Sequence, residues 1–204
     1  MQNPYDYPKI MKVLEQKAEE QFGWNIFFSQ NDHSIVLRLL AYFLNDEAVC
    51  RDFGISLQKG ILLSGPVGCG KTTLMKLMKV MAGKGNQYIL KSCREVSFEF
   101  IQDGYEVIHR YSKGQLYEHN FRNYCFDDLG VENNLKYYGN ECNVMAEIIL
   151  SRYDLFTTHN LKTHITTNLS ASEIEKNYGN RVRSRLRELC NLIAFDNNCK
   201  DKRK

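Results

Sequence analysis

Several features that mark whole classes of protein are missing from this sequence. No apolar run approaches the roughly 20 residues of a membrane-spanning helix, and the N-terminus is polar. There is no internal repeat, and no low-complexity tract apart from the basic stretch KDKRK. No two cysteines have the C-x-x-C spacing, which argues against a zinc site and a disulfide framework. We therefore expect a soluble, cytoplasmic protein with seven scattered thiols: Cys50, Cys69, Cys93, Cys125, Cys142, Cys190 and Cys199.

A strong net charge is missing as well. The formal charge is +3 at pH 7, and it is uneven, because residues 171–204 have nine Lys and Arg against five Asp and Glu. This distribution is compatible with a polyanionic partner but does not require one. Of the 204 residues 43% are hydrophobic, which is enough for one buried domain with short extensions and leaves little room for a second.

The most informative stretch is LLSGPVGCGKTTLMKL, residues 62–77, which contains the spacing G-x-x-x-x-G-K-T of a phosphate-binding loop. The apolar run before it predicts a strand, and the run after it predicts a helix, so a bound anion would lie at a helix N-terminus. Lys71 would reach the β- and γ-phosphates, and Thr72 would bind Mg²⁺. The predicted nucleotide-binding residues are Gly65, Pro66, Val67, Gly68, Cys69, Gly70, Lys71, Thr72 and Thr73.

Strands and helices alternate along the rest of the chain. Strands are predicted at residues 60–64, 86–92, 123–126, 163–167 and 191–196. Helices are predicted at residues 8–22, 31–46, 71–82, 96–111, 143–156 and 172–189. We expect Asp32 or Ser34 to cap the second helix, and Gly179 to break the last one. This alternation favours an α/β fold with a parallel sheet that helices cover on both faces.

Polar residues follow two of the predicted strands. The stretch NYCFDDLG begins with a short buried strand about fifty-five residues after the phosphate loop and continues with two acids. We predict Asp127 as a Mg²⁺ ligand, together with Thr72, and Asp128 as the group that orients the attacking water. Asn168 follows the strand THITT and is a candidate to lie between the water and the γ-phosphate. Taken singly, each of these residues could equally be a turn or cap residue.

Four stretches in this order, KGILLSGPVGCGKTTL, FDDLG, HITTNLS and YGNRVRSRL, resemble the DnaC/IstB family of AAA+ ATPases. This family comprises replicative helicase loaders and transposition helper ATPases. The resemblance implies a three-layer P-loop NTPase fold of the ASCE type, and it identifies Asp127 and Asp128 as the Walker B pair and Asn168 as sensor 1. It also implies homo-oligomers with shared ATP sites, and single-stranded or duplex DNA as a partner.

The resemblance also suggests how the chain is divided. Residues 1–34 would form a short helical extension, residues 35–197 the AAA+ ATPase core, and residues 198–204 a basic tail. Family members usually carry a longer N-terminal segment that binds the helicase or transposase. We expect no C-terminal helical lid domain, so the position of a second sensor arginine is empty.

One short predicted helix, GNRVRSRLREL, carries four arginines: Arg181, Arg183, Arg185 and Arg187. At 100° per residue, Val182, Leu186 and Leu189 fall on one side and form the buried face. The arginines then either form a solvated surface or supply one guanidinium to the ATP site of the next subunit. The SRL-like position of the family falls on Arg185, and Arg181 is the second choice.

The stretch HRYSKGQLYEH, residues 109–119, is the candidate for DNA contact. It interleaves His109, Arg110 and Lys113 with Tyr111 and Tyr117, a combination that can hold phosphates and stack bases. An ordinary helix end followed by a loop explains the same residues.

The function that we predict is an ATP-hydrolysing AAA+ ATPase that assembles on DNA, with a replicative helicase or a transposase as its protein partner. Two alternatives stay open. In a P-loop nucleotide or small-molecule kinase, the arginine helix would be a lid. In a binding module, ATP would act only as an assembly switch, with negligible hydrolysis.

Overall fold

A computed structural model describes residues 5–23, 28–112, 121–132, 135–137, 140–196, 198–199 and 201–202. The chain forms two compact units. The first consists of residues 1–57 and 73–87, and the second of residues 58–72 and 88–204. Among the described residues, no helix combines the length and the apolar character that crossing a membrane requires.

Helices make up the first unit. They are α1 (Tyr7–Phe22), α2 (Gln30–Phe43), α3 (Glu47–Asp52) and, from Thr73 onward, α4 (Lys71–Met81). Helix α1 ends at Gly23, and the Tyr7 hydroxyl donates to the Asp46 carboxylate at 2.7 Å. The predicted cap of α2 was wrong, because the N-cap is Ser29. The Asp32 carboxylate lies one turn further on and accepts from the Ser29 N–H at 2.9 Å, which forms a capping box.

The second unit contains the sheet. Its strands are β1 (Gly60–Ser64), β2 (Ile89–Ser92), β3 (Tyr124–Leu129), β4 (Leu135–Tyr137), β5 (Asn140–Cys142), β6 (Thr163–Thr167) and β7 (Cys190–Ala194). Five of them form an all-parallel sheet in the order β2-β3-β6-β1-β7, and the sequence predicted each of these five. The antiparallel pair β4 and β5 was not predicted.

This unit also contains the helices α5 (Cys93–Asp103), α6 (Glu106–Ser112), α7 (Val144–His159) and α8 (Ala171–Leu189). The single helix predicted for residues 96–111 was wrong, because the chain breaks at Gly104 between α5 and α6. The predicted break at Gly179 is confirmed, since this residue has non-helical angles (φ 85°, ψ 161°) inside α8.

Apolar side chains of the sheet and of α5 to α8 form one buried core, which includes Leu62, Val96, Phe100, Phe126, Ile148, Ile149, Ile165, Val182 and Leu186. This core also holds a buried cation, since Arg152 is only 1% exposed. Its guanidinium donates to the Thr163 hydroxyl at 2.7 Å and to the carbonyl oxygens of Tyr111, Arg122 and Lys162. Burial lowers the pKa of Arg152 to about 9. These bonds join the end of α6 to the residues just before β3 and β6.

Candidate active site

The predicted site residues lie at the ends of three neighbouring strands: the phosphate loop and Asn168 directly follow β1 and β6, and the acidic pair lies inside β3, which extends to Leu129 and not only to the predicted residue 126. Strand β6 lies between β1 and β3, and its last residue, Thr167, pairs with both Ser64 and Leu129. The Gly65 N–H donates to the Thr167 carbonyl oxygen at 3.2 Å. Ligands of parallel sheets bind at the carboxyl ends of the strands, where neighbouring strands lead off in different directions. The phosphate loop, the acidic pair and Asn168 therefore begin at one edge of the sheet.

The phosphate loop, residues 65–70, holds its lysine tightly. Lys71 is 5% exposed, and its Nζ donates to the carbonyl oxygens of Gly65 and Pro66, both at 2.8 Å. A β-carbon added at Gly65 would lie 2.6 Å from the Phe195 Cβ, so only glycine allows this close approach. The carbonyl groups of the loop thus hold the Lys71 ammonium group in place at the start of α4.

Three oxygen-bearing side chains meet beside the loop. The Thr72 hydroxyl donates to Asp127 Oδ1 at 2.9 Å, and the Thr166 hydroxyl donates to the same oxygen at 2.6 Å. Asp127 is buried, with 7% exposed. Hydroxyl and carboxylate oxygens suit Mg²⁺, which binds through one or two protein ligands, phosphates and water. No group of three His, Cys, Asp or Glu side chains that could hold a metal occurs in the described ranges.

Asp127 and Asp128 are adjacent in sequence, but their side chains have different surroundings. Phe126 pairs with Ile165 but Leu129 pairs with Thr167, so β3 contains one extra residue at this point. Asp128 has a positive φ of 56°, and its N–H donates to the Thr166 hydroxyl at 2.9 Å. This bulge separates the side chains. Asp127 bonds Thr72, whereas Asp128 lines a cavity of about 570 Å³ together with Ser92, Arg94, Ser97, Phe98, Val131 and Glu132.

Asn168 is exposed directly after the last residue of β6. The preceding Thr167 hydroxyl donates to the Leu129 carbonyl oxygen at 2.7 Å and accepts from the Leu169 N–H at 3.0 Å. These bonds fix the end of β6 against the end of β3. The backbone of Asn168 therefore has a defined position, and its role as sensor 1 stays a prediction.

The predicted arginine lies elsewhere in the second unit. The Arg185 guanidinium lies 4.0 Å from the centre of the Tyr153 ring on α7 and donates to Glu188 at 3.1 Å. Arg183 pairs with Glu175 at 2.6 Å, and Arg181 is exposed. The contacts described for Arg185 are thus with α7 and α8, not with Thr72 or Asp127 of its own chain.

The structure describes only part of the stretch that is predicted to contact DNA, because Lys113 and Tyr117 lie outside the described residues. Arg110 bonds Glu99 and Asp103, at 2.9 and 2.7 Å. The Tyr111 hydroxyl donates to Glu99 at 2.8 Å, and burial is the main cause that raises the pKa of Tyr111 to about 12. Arg110 and Tyr111 are therefore engaged in contacts within the fold.

Sequence reasoning missed three residues near the acidic pair. The Thr166 hydroxyl bonds the Asp127 carboxylate and the Asp128 N–H, and its one sequence signal was a hydroxyl near the end of the predicted strand THITT. Glu132 accepts from the Gly130 N–H at 2.9 Å and from the Tyr178 hydroxyl, and burial raises the pKa of Tyr178 far above its usual value. Tyr178 directly precedes the break in α8, so Glu132 links that helix to the loop after β3.

No model of a protein family matches the sequence, and no curated protein matches it. A crystal structure of the DnaC helicase loader aligns over 84% of this chain and 94% of its own, with 17% identity and a TM-score of 0.58. A crystal structure of DnaI aligns over 84% and 88%, with 19% identity and a TM-score of 0.56. AMPPCP-bound DnaA from Aquifex aeolicus aligns over 84% and 49%, with 17% identity and a TM-score of 0.52.

These identities are low, so the likeness is one of fold. The all-parallel sheet and the phosphate loop after β1 agree with the fold class predicted from the sequence. The resemblance inferred from the four motifs is thereby confirmed at the level of the fold: this chain has the α/β P-loop fold of the DnaC helicase loader and of DnaI.

Proposed function

We propose that this protein is an AAA+ ATPase that binds and hydrolyses ATP and assembles on DNA, in the manner of a helicase loader. The observation that carries the proposal is the bond between Thr72 and Asp127, 2.9 Å long, which joins the phosphate loop to the strand bearing the acidic pair. A phosphate-binding loop and a metal-binding acid at this spacing are the shared parts of P-loop ATPases.

Each polar side chain of the site then has a distinct task. Lys71 would exchange its two carbonyl partners for the β- and γ-phosphate oxygens, while Thr72 and Asp127 would hold Mg²⁺, directly or through water. Mg²⁺ supplies the charge that neutralises the phosphate oxygens. Asp128 would orient the attacking water, because the bulge in β3 turns it away from Thr72 and into the neighbouring cavity. Asn168 would contact the water or the γ-phosphate.

The contacts of α8 favour an ATPase over a kinase with an arginine-bearing lid. Val182, Leu186 and Leu189 are buried in the core, and the helix leads directly into β7. A lid has to move away from the core to admit its acceptor substrate, and here movement would expose three apolar side chains. The ATP-switched assembly module shares the same site and differs only in its lack of hydrolysis.

The protein partner and the oligomeric assembly that we propose rest on the similarity to the structure of the helicase loader. Because one of the similar structures is that of a helicase loader, we propose a replicative helicase as the first partner and a transposase as the second. We further propose a cytoplasmic homo-oligomer on single-stranded or duplex DNA, in which Arg185 or Arg181 enters the ATP site of the next subunit.

Two variants test the proposal. Lys71→Ala should lose ATP binding while keeping its fold, because it removes the cation that meets the phosphates. Asp128→Asn should still bind ATP with Mg²⁺, but its hydrolysis should fall by roughly 10²- to 10⁴-fold, the usual contribution of a group that handles the proton of the nucleophile. Binding is measured by titration with a fluorescent ATP analogue, and hydrolysis by release of inorganic phosphate from the assembled protein.

Asp154→Asn, which changes an exposed carboxylate on α7, is the matched control and should behave as the wild type. Unchanged ATP affinity in folded Lys71→Ala would contradict the nucleotide site. Normal hydrolysis by Asp128→Asn would contradict the role of Asp128. A wild type that binds ATP but releases no phosphate would favour the assembly module, and phosphate transfer to an added acceptor would favour the kinase.

A further inference from the structure

The chain beyond β7 returns to the phosphate loop. The Phe195 N–H donates to the Ser64 carbonyl oxygen at 2.8 Å, and the Lys202 N–H donates to the Gly68 carbonyl oxygen at 3.0 Å. The Lys202 ammonium lies 5.4 Å from the centre of the Phe195 ring. We call the described residues 198–199 and 201–202 the strap. Lys202 thus attaches the strap to the middle of the loop, and Phe195, which precedes the strap, is bonded to the residue just before the loop.

The side chain of Asp201 lies directly on the loop. A β-carbon added at Gly68 would overlap Cγ and both oxygens of the Asp201 carboxylate, with Oδ2 at 2.5 Å. The neighbouring Lys202 lies alongside the loop, with its Cδ 3.9 Å from a β-carbon added at Gly70. A carboxylate thus covers the glycine in the middle of the phosphate-binding sequence.

This placement has a chemical consequence. The amide groups of a phosphate loop and the N-terminus of the helix behind it favour negative charge, and they favour a carboxylate for the same reason as a phosphate. A carboxylate at Gly68 also repels the phosphate chain of an incoming nucleotide. Asp201 and the nucleotide phosphates therefore compete for one surface.

We propose that Asp201 is a built-in competitor of the nucleotide: its carboxylate covers the phosphate loop, and ATP binds only to molecules in which the strap has moved away. This inference rests on the proposed function, because it requires the loop to bind nucleotide phosphates. The strap lowers the apparent affinity by the fraction of molecules in which it is open. If one molecule in ten is open, the apparent affinity is about tenfold weaker than the intrinsic one.

The first experiment measures the affinity of the full chain for a fluorescent ATP analogue with Mg²⁺ at fixed ionic strength. Asp201→Asn should bind about tenfold more tightly than the wild type, because the amide keeps the shape of the side chain without its charge. Asp201→Glu should stay close to the wild type. The matched control is Asp196→Asn, which removes an equal charge from the same stretch of chain at a side chain that accepts from the Asn198 N–H.

The outcomes separate this inference from the proposed function. Equal affinities of wild type and Asp201→Asn, weaker binding by Asp201→Asn, or an equal gain in Asp196→Asn would each overturn the competitor role while leaving the ATP site intact. No binding by either the wild type or Asp201→Asn would contradict the proposed function and the strap with it.

A second experiment follows the strap itself. Of the seven cysteines only Cys142 and Cys199 are not buried, so a fluorophore on Cys199 in a Cys142→Ser background reports on the strap. Saturating ATP should lower the anisotropy of the fluorophore, because the strap leaves the loop. The same protein with Lys71→Ala should show no change at that ATP concentration. Unchanged anisotropy in the ATP-bound protein would overturn the displacement.

Discussion

A buried histidine connects the central strand of the sheet, β6, to its neighbour β1. His164 lies in β6 with 0% exposed, and its Nδ1 accepts the Ile61 N–H of β1 at 3.1 Å. An acceptor nitrogen cannot carry a proton, so the hydrogen bond requires a neutral ring. Burial, together with the smaller effect of the nearby charges of Lys162 and Arg152, lowers the pKa of His164 to about 3.

We expect this histidine to make the protein less stable in weak acid. Below pH 6.5 the unfolded chain binds a proton at residue 164 and the folded chain does not, until the pH approaches 3. In this window the free energy of unfolding therefore decreases as the pH decreases, by about 1.4 kcal/mol per pH unit from this group. At pH 5 the loss from this group is about 2 kcal/mol. Urea unfolding at pH 7.5 and pH 5 measures the loss.

The comparison variant is His164→Asn, whose side-chain oxygen can accept the Ile61 N–H and has no proton to gain. Its loss of stability between the two pH values should be smaller than that of the wild type by about 2 kcal/mol. His109→Asn, at an exposed position, should keep the wild-type loss. An identical pH dependence of wild type and His164→Asn would show that residue 164 does not titrate as described.

At the scale of elements, α8 consists of two helices joined at one residue. A capping box of Ser170 and Glu173 begins the first part, and Tyr178 ties it to Glu132. Buried side chains hold the second part, which carries the arginines, against the core. Gly179 joins the parts at φ 85° and ψ 161°, a region of backbone conformation that is almost restricted to glycine. This residue therefore sets the direction of the arginine-bearing part.

Gly179→Ala should destabilise the protein through its backbone alone. A β-carbon at this position meets no atom within 4 Å, so the cost is conformational, about 1–3 kcal/mol. For a chain of this size that corresponds to a melting temperature lower by roughly 2–12 °C. Gly83→Ala is the matched control, because Gly83 has an ordinary φ of −63° and equally open surroundings. Equal melting temperatures for the two variants would contradict the strained kink.

At the scale of the whole molecule, the arginine predicted for the ATP site makes its described contacts outside that site. Arg185 lies against the Tyr153 ring and donates to Glu188, and neither of these contacts involves Thr72 or Asp127. A guanidinium from another subunit would complete such a site by stabilising the charge that develops on the γ-phosphoryl group. The shared site inferred from the family resemblance stays a prediction about the assembled protein, and it has to be tested there.

Mixing two inactive variants tests the shared site. Arg185→Ala should bind ATP but hydrolyse it poorly, since an arginine supplied in trans typically contributes about 10³- to 10⁵-fold in rate. Lys71→Ala keeps the arginine but lacks a working loop. Mixed oligomers contain junctions with one intact loop and one intact arginine, so phosphate release should reappear.

Arg187→Ala is the control and should hydrolyse ATP as the wild type does. If the mixture of Arg181→Ala with Lys71→Ala regains activity and the mixture of Arg185→Ala with Lys71→Ala does not, Arg181 is the arginine that acts in trans. If neither pair regains activity although mixed oligomers form, the site is not shared between subunits.

The sequence by itself determined the phosphate loop, the five strands of the parallel sheet and the edge at which the main site residues meet. The phosphate loop, the five strands of the parallel sheet and the break at Gly179 depend on local spacing, periodicity and residue type, which can be read along the chain. Parallel strands bring their carboxyl ends to one edge, so the contact of Thr72 with Asp127 followed from the strand assignment. Where two local signals competed, as at the start of α2, the prediction was off by one turn.

Only the tertiary structure decided which side chains complete the site. Thr166 meets Asp127, Tyr178 meets Glu132, and Asp201 meets Gly68, each across 39 or more residues of sequence. The bulge that separates Asp127 from Asp128 likewise depends on the register between β3 and β6. Such contacts depend on packing and rotamers, which no spacing along the chain encodes, because a local pattern specifies the face of an element and not the partner opposite that face.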